Sequence, residues 1–164
     1  MIFVTVGTHE QSFQRLVQAI DQYALENDLC KSQVFIQTGY TDYIPKNCSH
    51  SKMLSYNKMD NLYKNAEIII THGGPGSMFL PWKYGKKIIA VPRLSKFNEH
   101  VDDHQLYFCK LMEREERVIC IEEISELAAT IKTINRDENE QKNKYIPKTS
   151  QFVESFKKSL GKIL

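Results

Sequence analysis

Glu67-Ile68-Ile69-Ile70-Thr71, running straight into His72-Gly73-Gly74-Pro75-Gly76-Ser77, decides how the rest of this chain is read. A short β-branched run that ends in glycines and a serine reads as a buried strand handing a tight loop to the start of a helix. The first amides of a helix lack partners and carry partial positive charge, so such a junction is a ready anion site, and phosphate is the natural ligand. Gly73, Gly74 and Gly76 are three of only seven glycines in the chain. The alternative is a plain turn, which needs neither the flanking histidine nor the serine. The spacing is neither G-x-G-x-x-G nor G-x-x-x-x-G-K-[ST], so the common dinucleotide and nucleoside-triphosphate motifs are absent.

The 164 residues suit one domain. With 22 basic and 20 acidic residues the net charge is +2. Bulk charge therefore supplies no polyanion-binding surface, and nucleic acid is not an expected partner. Cys30, Cys48, Cys109 and Cys120 show no C-x-x-C spacing, which disfavours a zinc site and fits free thiols in a reducing compartment such as the cytoplasm. The opening run Ile2-Phe3-Val4-Thr5-Val6 is too short for a signal-peptide core and reads as a strand. No stretch approaches the roughly 20 apolar residues of a membrane span.

Outward from the glycine loop the chain alternates. Val4-Thr5-Val6 leads into Gly7-Thr8-His9, and Phe13, Leu16, Val17, Ile20 and Ala24 then recur at helical spacing through Glu26. His9 is either a group that binds phosphate or moves a proton, or a solvent-facing cap residue. Gln33-Val34-Phe35-Ile36-Gln37 is a second strand, followed by a polar loop bearing Tyr40, Tyr43 and Pro45. Met53-Leu54-Ser55-Tyr56 reads as a short third strand, and Asn57 as the N-cap of a brief helix carrying Met59, Leu62 and Tyr63. After the glycine loop a helix over residues 77–84 is expected, stopped by Gly85, with Pro81 costing it a hydrogen bond. Lys87-Ile88-Ile89-Ala90-Val91 and Arg117-Val118-Ile119-Cys120-Ile121 are further strands. Ile124, Leu127, Ala128, Ile131 and Ile134 mark an amphipathic helix. Residues 135–148 read as a charged linker and 149–161 as a closing helix whose apolar stripe packs on the sheet or, alternatively, meets a partner.

Residues 93–105 concentrate Arg93, Glu99, His100, Asp102, Asp103, His104 and Gln105 after a strand and at the head of a helix. His100 and His104 stand at i, i+4 with acids nearby, but there is no H-E-x-x-H, and Asp102 and Asp103 serve equally well as N-terminal helix residues. No metal is expected. The alternation of strands and helices predicts an α/β fold with a Rossmann-like, doubly wound parallel sheet. The polar loops at 7–9, 71–77 and 93–105 all follow strands, so they share one sheet edge and can converge on one ligand.

Three stretches carry a family likeness. Val4-Thr5-Val6-Gly7-Thr8-His9 with Phe13, Arg15 and Leu16, then residues 66–77, then Ile89-Ala90-Val91-Pro92-Arg93 and Glu99-His100-Val101-Asp102-Asp103-His104-Gln105 together resemble the small donor-binding subunit of two-piece family 28 glycosyltransferases. The likeness covers about the first 125 residues. It extends to PssE-type subunits of bacterial capsule and exopolysaccharide synthesis and to the soluble subunit of the eukaryotic dolichol-linked N-acetylglucosamine transferase.

The resemblance implies a single GT-B half-domain over 1–164 that binds a UDP-sugar without cofactor or metal. The acceptor half would be a separate membrane-associated glycosyltransferase subunit presenting a lipid-linked saccharide, and the chain would work on the cytoplasmic face of the membrane. It further implies that Gly7, Thr8, His72, Gly73, Gly74, Gly76 and Ser77 face the donor diphosphate. Arg93, Glu99, His100, Asp103, His104 and Gln105 would meet the sugar or nucleotide. His9 is the candidate catalytic group in this chain, although the base is expected partly or wholly from the partner. Galactose is the first expectation for the sugar. The sequence departs from the family where many members carry an acid that holds the ribose: here Met78-Phe79-Leu80-Pro81 places Leu80. That departure keeps open a second reading, a non-catalytic partner that stabilises a membrane-associated glycosyltransferase.

Overall fold

The computed structural model describes residues 1–140, with side chains described through residue 134. Six strands form one sheet in the order β3-β2-β1-β4-β5-β6: β1 Ile2–Thr5, β2 Val34–Gln37, β3 Ser49–Ser51, β4 Ile68–Thr71, β5 Lys87–Ala90 and β6 Ile119–Cys120. Every pairing is parallel, with Thr5 opposite both Gln37 and Thr71, and Thr71 opposite Ala90. A parallel sheet is covered on both faces, which is why β1 and β4 are apolar nearly throughout instead of alternating with polar residues.

Strand side chains alternate between two cores. Ile2, Val4, Ile68 and Ile70 face one cluster, built with α1 Gln14–Glu26 and α5 Leu127–Glu140 through Leu16, Val17, Ile20, Leu127 and Ile131. Phe3 and Ile69 face the other, built with α2 Tyr56–Asn65, α3 Phe79–Lys83 and α4 His104–Arg114 through Tyr63, Trp82, Cys109 and Met112. Burying each such large apolar side chain contributes roughly 1.5–3 kcal/mol. The two cores cover the faces of the sheet and leave its carboxyl edge to the loops.

Several boundaries differ from the sequence reading. The third strand lies at Ser49–Ser51 and not at residues 53–56. Among the described residues it is a polar edge strand paired only to β2, so no apolar pattern announces it, and its polarity suits an exposed edge. The N-cap of α2 is Ser55, whose hydroxyl accepts the Lys58 amide, and not Asn57. The expected helix over 77–84 is a 3-10 turn at Pro75–Ser77 followed by the five-residue α3. Pro81 is the third residue of α3, where the amide has no helical acceptor to lose, so the expected penalty does not arise. Gly85 follows α3 with φ +63°, the left-handed stop that its position called for. β6 is confined to two residues, and α5 runs to Glu140, into the stretch read as a charged linker. The closing helix expected at 149–161 lies outside the described residues.

Candidate functional site

The strand order reverses beside β1, since β2 lies on one side of it and β4 on the other. A crevice therefore opens between the loops that leave β1 and β4, the place where open α/β sheets bind ligands. His72 occupies it. A side-chain carbon added at Gly7 would lie 2.6 Å from the His72 ring, and one added at Gly74 would lie 2.5 Å from it, so the imidazole is held between two bare backbones. Gly7 also has φ +76° and Gly73 φ +85°, left-handed conformations that glycine adopts at no steric cost. Behind the loop, a carbon added at Gly73 would meet Cys109 Sγ at 2.3 Å. Burial first, and then the charge of Arg93, push the His72 imidazole down to about 4, so it is neutral at pH 7.

The glycine loop offers its own amides. Ser77 N and Met78 N bond to Gly74 O and Pro75 O, whereas Gly73, Gly74 and Gly76 have no backbone acceptor among the described residues. Gly76 is exposed, with nothing within 4 Å of an added side chain. Because α3 spans five residues, its dipole adds little, which leaves the amides of the glycine loop as the polarised donors at this edge, Gly73 and Gly74 buried and Gly76 exposed. Ser77, read as facing a diphosphate, is instead buried: its hydroxyl donates to Gly74 O at 2.7 Å and bonds the Thr71 hydroxyl. It closes the loop. Thr8 is exposed beside this edge.

The third loop is locked to the first. Arg93 is fully buried, and its Nη atoms donate to the carbonyl oxygens of Gln11 (2.7 Å), Glu99 (3.0 Å) and Val6 (2.9 Å). Its guanidinium also lies 4.8 Å from the Phe13 ring centre. Burial lowers its pKa to about 10, against the opposing pull of Glu99, so it stays charged. Nε alone lacks a partner among the described residues. Glu99 is buried too, taking a two-pronged bond from Arg15 (2.9 and 2.8 Å) and one from the Leu94 amide. Arg93 and Glu99, expected to meet the donor, are thus spent on bracing loops. Asp103 is likewise engaged, accepting the amide and hydroxyl of Ser95 at 2.8 and 3.1 Å.

Gln105 accepts the Arg93 amide through Oε1 at 3.3 Å and is buried below the crevice. Its amide nitrogen makes no hydrogen bond among the described residues. His9 and His100 stack with ring centres 4.4 Å apart, and His100 meets His104 edge-on at 4.6 Å. His9 Nε2 lies 2.7 Å from Gln11 Oε1. All three polar loops foreseen at this edge therefore do meet.

Gln37 and Thr5 escaped the sequence reading. Thr5 donates to Gln37 Oε1 at 2.7 Å, and Gln37 Nε2 donates to Gly7 O (2.9 Å) and Lys52 O (3.1 Å), fixing the loop after β1. The available signal was a polar residue closing each of three apolar strands, IFVT, VFIQ and IIIT, which the parallel register aligns as Gln37-Thr5-Thr71 along the loop edge.

This sheet, with its crevice over a glycine loop, defines a Rossmann-like half-domain of the GT-B glycosyltransferase type. Residues 1–160 match the glycosyltransferase family 28 C-terminal domain, and the chain belongs to that family. Among solved structures its fold is similar to that of the glycotransferase of kitacinnamycin, with TM-score 0.57 and 14% identity over 81% of this chain and 34% of that one. It is also similar to CalG4, the calicheamicin glycosyltransferase, with TM-score 0.53 and 11% identity over 81% and 33%. SnogD, a glycosyltransferase from Streptomyces nogalater, gives TM-score 0.50 and 16% identity over 74% and 30%. The chain spans about a third of the length of these structures, and at such identities the likeness concerns the fold. No curated protein matches.

Proposed function

We propose that this donor-type domain binds a UDP-sugar and is the catalytic subunit of a two-component inverting glycosyltransferase. In this reading it passes a hexose, with galactose the first candidate, to a lipid-linked saccharide held by a membrane-associated partner in capsule or exopolysaccharide synthesis. The observation that carries the donor reading is the seating of His72 between Gly7 and Gly74 at the switch point. It sets the amides of Gly73, Gly74 and Gly76, which have no backbone acceptor among the described residues, at the carboxyl edge of the sheet, where open α/β folds bind ligands.

In transfer, an acceptor hydroxyl oxygen bonds to the anomeric carbon from the face opposite the diphosphate. The bond from that carbon to the diphosphate oxygen breaks, and the electron pair leaves with UDP. Loop amides fixed in advance neutralise the charge that develops there. The acceptor proton passes to a base; His9 is the candidate in this chain, and the partner is the other source. Gln105, whose amide nitrogen has no partner among the described residues, is the candidate to bond a sugar hydroxyl.

Calorimetric titration of the purified chain with UDP and a panel of UDP-sugars, without divalent metal, tests the donor site. Saturable binding that tightens from UDP to one UDP-sugar supports it, and no binding of UDP at millimolar concentration sinks it. The second reading, a non-catalytic partner, is favoured by one observation. Leu80 packs against the α2–α4 core, at the position where the resemblance leads one to expect, in many family members, an acid that holds the ribose.

A further inference from the structure

We propose that His100, Asp102 and His104, on the loop that leads into α4, form a binding site for a divalent transition cation of the Zn²⁺ class. The three offer ligand atoms that all lie within 4.8 Å of one another. Two ligands bonded to one tetrahedral ion at about 2.0–2.1 Å stand about 3.3–3.4 Å apart. His100 Nδ1 is already 3.4 Å from Asp102 Oδ1. His104 Nδ1 is hydrogen-bonded to that same oxygen.

Asp102 decides the sign of the guest. An anion site would not set a carboxylate between two imidazoles, whereas that arrangement suits a cation. The backbone is wound around the same atoms: the Asp102 amide donates to His100 Nδ1 at 3.4 Å and the His104 amide to Asp102 Oδ1 at 3.1 Å. Capping the first turn of α4 accounts for the second of these bonds but does not call for two imidazoles on one carboxylate oxygen. His9 stacks on His100 from the loop after β1 and fixes its plane.

Two imidazoles and one carboxylate select a nitrogen-preferring ion over Mg²⁺ or Ca²⁺, which take oxygen. Asp102 and His104 are exposed, so their side chains have room to turn toward an ion, and three protein ligands leave a fourth position to water. The inference does not rest on the glycosyltransferase reading, because the ligands define the site whatever the domain transfers.

The test is a titration of the untagged full chain with Co²⁺, followed by visible absorption, and with Zn²⁺, followed by calorimetry. One ion per chain is expected, with a nitrogen and oxygen ligand spectrum and no thiolate charge-transfer band. Asp102→Asn and His104→Ala should each weaken binding by at least about tenfold, since even supporting groups around a metal are worth that much. Both positions are on the surface, so circular dichroism should find the variants folded. Equal affinity in parent and variants, a thiolate band, or no uptake of either ion at millimolar concentration would overturn the site. UDP affinity in EDTA, measured separately, bears on the donor reading alone.

Discussion

Arg93 Nη2 donates to the carbonyl oxygen of Val6 at 2.9 Å, joining residues 87 positions apart across the end of the sheet. The bond ties the loop after β5 to the loop after β1, and the same guanidinium reaches Gln11 and Glu99. Replacing Arg93 with Met leaves three carbonyls without their donor and a buried Glu99 with less positive charge around it. The expected loss is about 3–5 kcal/mol, as for breaking a buried charged network. Arg93→Lys keeps the charge but not the fork, and should lose less. Urea unfolding at pH 7 measures both; a loss below about 1 kcal/mol in Arg93→Met would show that the arginine does not brace the site.

The glycine loop yields a paired test. A side chain at Gly74 meets His72 at 2.5 Å, so Gly74→Ala should disturb the fold locally, costing about 1–3 kcal/mol, and weaken UDP binding as a consequence. Gly76 has open space before it. Gly76→Val should therefore keep stability within about 0.5 kcal/mol while reducing UDP affinity by tenfold or more, because the new side chain projects over the exposed loop. If Gly76→Val binds UDP as the parent does, the diphosphate does not lie over this turn.

What the sequence revealed here followed from pattern strength. β1, β4 and β5 are apolar runs closed by loop residues, and α1 has clean helical spacing, so the parallel sheet and its three polar loops were legible. Ser49–Ser51 was not, since a polar edge strand is defined by pairing with β2 and not by its own composition. Site residue types were visible, but the allocation of their atoms was not. Arg93, Glu99, Asp103 and Ser77 looked like ligand groups, and only the folded loops show that each is engaged with the chain itself. The partners of Gln37 and Thr5 lie 32 residues apart in sequence, beyond any local motif.

His72 makes stability depend on acidity with a definite sign. Its folded pKa of about 4 lies below the ordinary value of 6.5, so the unfolded chain takes up its proton first as the solution is acidified. The contribution of neutral His72 is whole above pH 6.5, falls between pH 6.5 and 4, and is flat below 4, with a total of at most about 3 kcal/mol. Urea unfolding of the parent and of His72→Gln across that range should show a difference that shrinks toward acid. An NMR titration placing the His72 midpoint near 6.5 would contradict the assignment.

Metal removal separates the transfer chemistry from the histidine cluster. Fixed amides of the glycine loop can neutralise the departing diphosphate, so transfer by the assembled enzyme is expected to survive EDTA, even as EDTA strips any ion from His100, Asp102 and His104. Activity abolished by EDTA and restored by added divalent metal would place an ion in the reaction itself.

Partnership is the most consequential expectation. A GT-B reaction needs a donor half and an acceptor half closing over a cleft, so that water is excluded and the acceptor hydroxyl aligns with the anomeric carbon. The 164-residue chain matches the C-terminal domain of family 28 and spans about a third of the solved glycosyltransferases it resembles. Among the described residues no helix is long and apolar enough to cross a membrane. On the two-component reading proposed above, the isolated chain should show negligible transfer. Coexpression with a membrane-anchored acceptor subunit should produce robust transfer and move the chain into the membrane fraction. In that complex Gln105→Ala should slow transfer without releasing the chain, since Gln105 sits below the crevice and not on an outer surface. Efficient transfer to a lipid-linked acceptor by the purified chain alone would refute the two-component reading, while loss of membrane association in Gln105→Ala would move that residue from the donor site to the interface.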